Sequence, residues 1–453
     1  MTRATSFTTL RTLGQEGRNK QRGAATLLVT LVLVLAMSLG AFFLNRNLTL
    51  GQRLAANQVQ AAQAFEAAEA GLDWATAQLN NPQKIGSNCQ ASSAASAQTF
   101  RASRVAFDAK SGLHTPRTWN DASQVMPLQA VCVRSAEQSG GWSCSCPASG
   151  HPVVVNRAAP ATSTSTATST EPATTTAAAA FTVTFLATSV PGQLRVVAQG
   201  CTSYAGACQP GSHTQADATA QVQQLVALVS GLASAPVAAL TVRGDVSTHA
   251  ALGLHRGNHA STGAAVHSGG KLEAPNARIG AAAGGVSTVA VIEHDLGLSG
   301  VNEARFFSRL FGTDAATWSA QPMTQKLVCK DNCNAALLDA FAATSGTVQL
   351  WVDGEFTLTA PLTVGSAARP VLLLVNGTAT LNGAVRIHGM LHAARVQWND
   401  DGSGAGRVTG AVTSASDYSG SGAPDLVFDA AALRLLQTNS GSFTRIAGSW
   451  KDF

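Results

Sequence analysis

The side chains of this sequence best suited to redox chemistry or metal binding are eight cysteines and ten histidines. An even number of cysteines in an exported chain favours disulfides over free thiols. Two close pairs, Cys201–Cys208 in CTSYAGAC and Cys329–Cys333 in CKDNC, are candidates for local bridges. The other four candidates are Cys89, Cys132, Cys144 and Cys146. We therefore predict a disulfide-bonded chain.

The CSC motif at 144–146 constrains the pairing of these last four cysteines. Cys144 and Cys146 cannot bridge each other comfortably, so we expect their sulfurs to reach Cys89 and Cys132. A zinc site is the alternative use of cysteines. None of the ten histidines lies at finger-like spacing from them, so we predict no metal site.

A catalytic site of the kind found in polysaccharide hydrolases and lyases would need clustered carboxylates. The densest pair is Asp400–Asp401 in NDDGSG, which lacks the following Glu of a calcium-binding loop and is explained by a turn. His388 and His392 lie four residues apart in a strand-like segment. The sequence has no G-x-S-x-G, Walker or H-E-x-x-H motif. We predict no catalytic residue and no cofactor.

The N-terminal region combines a basic patch with a long uncharged run. Arg18, Lys20 and Arg22 precede 24–44, which as a helix would span about 31 Å, close to the thickness of a bilayer core. A secretory signal peptide has a shorter apolar region and a small-residue cleavage site. We therefore predict that Ala24 to Leu44 is transmembrane, with the basic leader 1–23 in the cytoplasm and the rest outside.

Helix-forming residues continue beyond the apolar run. No proline occurs before Pro82, and Ala, Gln, Glu and Leu dominate up to the NNP stop at 80–82. We predict one helix over 24–80, roughly 85 Å long. Its second half has a possible packing face made of Leu50, Leu54, Gln58, Ala61, Phe65, Ala68, Leu72 and Leu79.

Residues 83–235 contain signals of a small antiparallel sheet. FTVTFLATS (181–189) and GQLRVVAQGCTS (192–203) alternate apolar and polar residues around VPG, which predicts a β-hairpin. ATAQVQQLVALVSGL (218–232) fits either a strand or a helix. The Ser/Thr/Ala-rich segment 158–180 lacks the apolar surface needed to fold, so we predict a disordered loop there.

Residues 238–435 have a different texture, with short apolar stretches separated by Gly, Asn and Asp. This spacing favours a β-solenoid over a sandwich, with a helical insertion at 302–345 and a C-terminal tail at 436–453. A terminal helix is expected at 425–437. The expected inward-facing residues are Leu350, Val352, Phe356, Leu358, Leu372, Leu374, Leu381, Val385, Ile387, Leu391, Val396, Val408 and Val412.

RGAATLLVTLVLVLAM followed by QAAQAFEAAEAGLDWA resembles the N-terminus of type IV pilins, in particular the PilX-type minor pilins. The resemblance implies that a prepilin peptidase cuts between Gly23 and Ala24, that Ala24 is then N-methylated, and that the apolar helix enters a filament core. It also implies an α+β fold in which a small antiparallel β head packs on the second half of the long helix. The β-rich C-terminal module follows that head.

Leu28 departs from the major-pilin pattern, which usually has Glu at this fifth mature position. A buried Glu is costly unless it meets a partner, and in pilins that partner is the N-terminal amine of the adjoining subunit. A subunit with no neighbour above it has no such amine. The resemblance is therefore to PilX-type and GspK-type components, which are placed at or near the filament tip.

These features predict a non-enzymatic minor pilin that helps to start the filament and displays a β-rich head for adhesion or docking. The implied partners are other minor pilins, the major pilin, the prepilin peptidase, the inner membrane and a tip adhesin. Beyond the leader the chain is close to neutral, so no nucleic acid is expected. The alternatives are a plain signal anchor, a type II secretion pseudopilin, and a membrane-anchored solenoid acting on carbohydrate.

Overall fold

The computed structural model describes residues 22–121, 124–134, 141–152, 179–202, 208, 218–256, 264–280, 291–399 and 406–453. The expected leader before residue 22, nearly all of the expected loop at 158–180, and the Asp400–Asp401 pair lie outside the described residues. The chain forms two compact units, residues 1–60 and residues 61–453.

A single helix, α1 (Arg22–Leu79), accounts for the described residues of the first unit and enters the second. It has 58 residues and ends before Pro82, close to the expected bounds of 24–80. Within the first unit its apolar side chains are exposed, including Leu50 and Leu54 of the expected packing face. That half of α1 therefore has no core of its own.

In the second unit, α1 packs through small residues. Ala68, Leu72 and Leu79 of the expected face are buried. Ala61 and Phe65 of that face are exposed, and Gln58 is exposed in the first unit, whereas Ala64, which was not expected, is fully buried. The buried set is Ala64, Ala67, Ala68, Leu72, Ala75 and Leu79. The packing face is thus rotated from the expected one, because alanines allow the helix backbone to approach the sheet closely.

The head consists of short strands around one antiparallel sheet. Its elements are β1 (Lys84–Ile85), β2 (Gln98–Thr99), α2 (Phe100–Arg104), β3 (Val105–Phe107), β4 (His114–Pro116), β5 (Thr118–Asp121), β6 (Gln124–Pro127), β7 (Ala130–Arg134), β8 (Trp142–Ser145), β9 (Ala180–Ala187), β10 (Gln193–Cys201) and β11 (Thr219–Ser230). β9 and β10 form the expected hairpin, and the ambiguous segment at 218–232 is strand β11. The main sheet has the order β8-β7-β9-β10-β11.

The parallel module, residues 238–439, begins after β11. Its strands are β12 (Ala238–Val242), β13 (Val246–Ser247), β14 (Gly253–His255), β15 (Ala264–Ser268), β16 (Leu272–Glu273), β17 (Arg278–Gly280), β18 (Val291–Ile292), β19 (Thr324–Leu327), β20 (Val348–Asp353), β21 (Phe356–Thr359), β22 (Leu362–Val364), β23 (Val371–Asn382), β24 (Val385–Asn399), β25 (Arg407–Ser414), β26 (Tyr418–Ser419) and β27 (Asp425–Phe428). Every pairing among them in the described chain is parallel.

Aligned residues form three rows across this sheet. The rows are Leu350–Leu373–Leu391–Val412–Leu240–Val266, Phe356–Ala379–Val396–Tyr418–Val246–Leu272 and Val364–Ile387–Val408–Leu426–Leu254–Ile279. Nearly all of these side chains are fully buried. The segment 238–292 stacks onto the end of the segment 348–428, so the chain enters the sheet in its middle.

All thirteen residues expected to face inward are buried. Leu372 and Leu374, however, align with Gln349 and Trp351 and lie on the opposite face of their strand from Leu373. That face packs against helices, because Trp351 contacts the rings of Phe307 and Trp318. A strand that is buried on both faces has a continuous apolar sequence. The sequence then does not show which of its side chains point to which face.

The expected helical insertion at 302–345 contains α4 (Glu303–Phe311), α5 (Ala315–Ser319) and α6 (Asn334–Ala343), and the short helix α3 (Leu296–Ser299) precedes it. Asn302 and Asp314 cap α4 and α5 by accepting hydrogen bonds from backbone N–H groups in their first turns. β19 is a strand inside the stretch expected to be helical, and it extends the parallel sheet by pairing with β20.

The last residues form structure where only a tail was expected. Over 425–437, β27 precedes α7 (Ala430–Asn439), whose N-cap is Asp429. β28 (Gly441–Arg445) and β29 (Lys451–Asp452) then return to the head and pair antiparallel with β11. The prediction of a tail at 436–453 was wrong. The strands β28 and β29 are too short to give a strand signal, and their partner strand lies about two hundred residues earlier in the sequence.

Candidate functional site

The peptide bond between Gly23 and Ala24 lies in the first turn of α1, which begins at Arg22. From Ala25, α1 is long and apolar enough to cross a membrane, with an 18-residue window of mean hydropathy 2.7 that is not buried in the protein. Leu28 is 65% exposed within this window. This half of α1 therefore presents an exposed apolar surface.

No acidic residue interrupts the apolar half of α1, since the first charged residue after Arg22 is Arg46. A carboxylate in such a helix would need a charged partner when buried. With leucine at position 28, the segment can be buried in an apolar environment without meeting a counter-charge.

Four disulfides join all eight cysteines: Cys89–Cys146, Cys132–Cys144, Cys201–Cys208 and Cys329–Cys333. Cys132–Cys144 links neighbouring positions on β7 and β8. Cys89–Cys146 ties the loop between β1 and β2 to the residue after β8. No cysteine is left as a thiol, so none is available as a metal ligand. Three of the disulfides crosslink the head, and the fourth crosslinks the helical insertion.

The C-terminal strands close the head against the second half of α1. The side-chain amide of Asn80 donates to the carbonyl of Phe443 at 2.8 Å, and its oxygen accepts from the Phe443 N–H at 2.7 Å. The Trp450 indole N–H donates to Glu69 at 2.6 Å, and Arg445 pairs with Asp73. Sequence analysis missed these contacts, although Phe443 and Trp450 are large aromatic residues in a segment assigned as a tail.

His388 and His392 do not form a shared site. His392 is 3% exposed, lies among the rings of Phe306, Phe307 and Phe311, and has Nδ1 2.8 Å from the Thr413 hydroxyl. Burial lowers the pKa of His392 to about 3. A neutral, enclosed imidazole of this kind is a structural residue of the sheet–helix contact.

Three histidine–carboxylate contacts were not expected from the sequence, and the longest joins His388 Nε2 to Asp429 at 3.9 Å. His267 Nε2 lies 2.5 Å from Asp295, and His255 Nε2 lies 3.0 Å from Asp425, which also accepts from Arg278. The hydrogen bond from His267 is the main reason that the pKa of Asp295 is below its usual range. His255 and Asp425 join the neighbouring strands β14 and β27, whereas His267 joins β15 to the N-cap residue of α3.

No group of three or more potential metal ligands occurs within the described residues. The two close histidine–carboxylate pairs are separate from one another, and each connects adjacent elements of the parallel module. The described chain therefore offers connecting contacts and apolar surfaces rather than a cluster of reactive side chains.

One comparison with known proteins concerns the long N-terminal helix α1. Residues 22–73 match the PilX N-terminal family, so this part of the chain is similar to the N-terminal region of PilX-type minor pilins. The match covers most of α1 and none of the β-rich remainder. No curated protein sequence matches the chain.

Among solved structures, the chain is similar to the competence-associated pilin ComZ from Thermus thermophilus. The identity is 12%, the alignment covers 87% of this chain and 98% of that one, and the TM-score is 0.21. With so low a TM-score, this likeness carries no weight for the fold or function of the present chain.

Proposed function

We propose that this chain is a minor pilin that takes part in the assembly or initiation of a type IV pilus. The observation that carries the proposal is the match of residues 22–73 to the PilX N-terminal family on a continuous helix with an exposed apolar half. In this proposal the protein is first held in the inner membrane by α1. It then moves with that helix into the filament, and the β-rich part is outside the cell.

The proposed processing follows from the same segment. A prepilin peptidase removes residues 1–23 on the cytoplasmic side, and the new N-terminus at Ala24 is methylated. Ala24 to Leu44 is the membrane span before assembly. The basic residues of the leader support this orientation, since positive charges favour the cytoplasmic side.

We place this subunit at or near the filament tip, because Leu28 stands at the fifth mature position, where repeating subunits usually have Glu. Immunogold labelling of an epitope tag in the β-rich part tests this point. Label at one end of each filament supports the proposal, and label along the whole shaft contradicts it. Deletion of the gene should reduce the number of filaments, and the wild-type chain should restore it.

The parallel module is proposed to be a three-sided β-solenoid. Three successive strands, β20, β21 and β22, each contribute one residue to a different row of buried residues, as the three sides of one solenoid coil would. The next strand, β23, returns to the first row and so begins the next coil. We propose that this module is a display surface for adhesion or docking to a tip partner, without catalysis. An experimental density map with three flat parallel faces would support the solenoid, and two packed sheets would contradict it.

A further inference from the structure

A cavity of about 430 Å³ lies between the head and the parallel module, including α7 of that module. Its size falls in the range of small-molecule binding sites. The polar side chains that matter here are Arg101, His114 and Arg117 from the head, Ser345 and Thr347 from the module, and Asn439 from α7. None of the residues lining this cavity is Asp or Glu.

Arg101 is 8% exposed and is held by neutral partners. Its Nε donates to the carbonyl of Leu79 at 3.0 Å, and its Nη2 donates to that of Gly441 at 2.9 Å. Its guanidinium lies 4.7 Å from the centre of the Phe443 ring. Burial lowers the pKa of Arg101 to about 9. These groups fix the position of the guanidinium, but they supply no full negative charge.

Two further arginines belong to the same part of the head, Arg104 at the end of α2 and Arg117 between β4 and β5. Arg104 is 1% exposed, and its Nε and Nη2 have no hydrogen-bond partner among the described residues. Arg117 donates through Nε to the carbonyl of Ala102 at 2.6 Å. Within the described part of the chain, no carboxylate forms an ion pair with Arg101, Arg104 or Arg117. Arg101 and Arg117 line the cavity, and Arg104 is not among its lining residues. The protein thus places two arginines at the cavity without a counter-charge of its own.

His114 completes the polar wall of the cavity. It is 1% exposed and lies between the rings of Phe107 and Phe443. Neither of its nitrogens makes a hydrogen bond of normal geometry with the described residues. Burial, and secondly the charge of Arg101, lower the pKa of His114 to about 4. The imidazole is therefore neutral near pH 7 and carries one N–H. The side chain of Asn439, which also lines the cavity, is the polar group that contacts the ring and opposes part of the pKa shift.

We propose that this cavity binds an oxyanion group, a phosphate or a carboxylate, carried by a ligand no larger than a monosaccharide. Unpaired buried charges are costly, and an anion from solution would supply the missing partner. The planar fork of an arginine fits phosphate and carboxylate oxygens. Arg101, His114 and Arg117 are the expected contacts. The bound ligand would touch the head, the module and α7 together, and the inference does not depend on the pilus assignment.

Isothermal titration calorimetry on the detergent-solubilised full chain, at constant ionic strength, tests the site with inorganic phosphate and with glucuronate. We expect saturable binding of at least one of them, at one molecule per chain. Binding of phosphate alone would indicate a phosphate or phosphate ester, and binding of glucuronate alone would indicate a carboxylate. Absence of saturable binding for both would overturn the proposal.

The deciding variant is Arg117→Met, because Arg117 is exposed and its loss should leave the fold intact. Loss of one charged hydrogen-bonding partner should weaken binding about tenfold or more. Arg195→Ala removes one positive charge from an exposed position on β10 and should bind as the wild type does. Equal affinity of Arg117→Met and wild type, with unchanged thermal unfolding, would contradict the assigned site.

Discussion

Ser230, at the end of β11, is the antiparallel partner of Gly441, at the start of β28. The whole parallel module lies between these two paired residues. The head and the module also have separate hydrophobic cores. The module is therefore an insertion between adjacent strands of the head sheet, and both of its ends leave the head at one point.

This relationship predicts that the head folds without the module. Replacing residues 231–440 by an Asn-Gly turn joins β11 and β28 as a simple hairpin. We expect the shortened chain to be soluble in detergent, to form its head disulfides and to unfold cooperatively, as measured by circular dichroism. Phe443→Ala in the shortened chain should destabilise it by about 3 to 5 kcal/mol. A shortened chain without cooperative unfolding would show that the head depends on the module.

The contact between Asn80 and Phe443 makes a second prediction. Asn80→Ala removes two hydrogen bonds and leaves a buried backbone N–H and C=O without partners, which costs about 2 to 5 kcal/mol. Asn88→Ala is the matched control, because Asn88 is exposed and accepts only a local turn hydrogen bond from Gln90. Equal unfolding free energies for the two variants in urea would contradict the role of Asn80.

The close approach of α1 to the head sheet makes a third prediction. A Cβ at Gly200 would lie 2.0 Å from the backbone oxygen of Ala64, so Gly200→Ala cannot fit without moving the helix. Overpacking of this kind costs about 1 to 3 kcal/mol or more. Gly141→Ala is the control, since a Cβ there meets nothing within 4 Å. A melting temperature unchanged by Gly200→Ala would mean that α1 and β10 are not in contact.

The buried histidine of the module makes a fourth prediction. The pKa of His392 is about 3 in the folded protein, below its unfolded value of about 6.5, so only the unfolded chain binds the proton at intermediate pH. The stability from neutral His392 is present above pH 6.5 and falls by about 1.4 kcal/mol per pH unit below it.

Thermal unfolding between pH 7 and pH 4.5 measures this loss. His392→Asn can still meet the Thr413 hydroxyl but does not titrate, so its stability should fall less steeply with pH than that of the wild type. The stability of the variant should still fall with decreasing pH, partly because the pKa of His114 is also lowered, to about 4. Parallel pH profiles for wild type and variant would contradict the assignment of His392 as a buried neutral residue.

The elements with strong local signals were predictable from sequence. The long helix followed from a proline-free run of helix formers, and the β9–β10 hairpin followed from alternation on either side of VPG. All thirteen residues expected to face inward are buried, although Leu372 and Leu374 lie on the face that packs against helices. In each of these cases the signal lies in the residues of the element itself.

The features that were missed depend on residues far apart in the chain. β28 becomes a strand only because β11 offers it an edge, and the buried face of α1 is set by the glycine at position 200. The insertion of the module is likewise visible only from the pairing of Ser230 with Gly441, which lie far apart in the sequence. The cavity beside Arg101 draws residues from three regions, so no local motif could indicate it.

The central claim is that residues 1–23 are a prepilin leader and that Ala24 is the mature N-terminus. Mass spectrometry of the chain purified from its native membranes tests this most directly. We predict a chain that begins with N-methylated Ala24, and a longer form when Gly23→Val blocks the cut. A chain that retains Met1, or one that begins near residue 45, would contradict the pilin account.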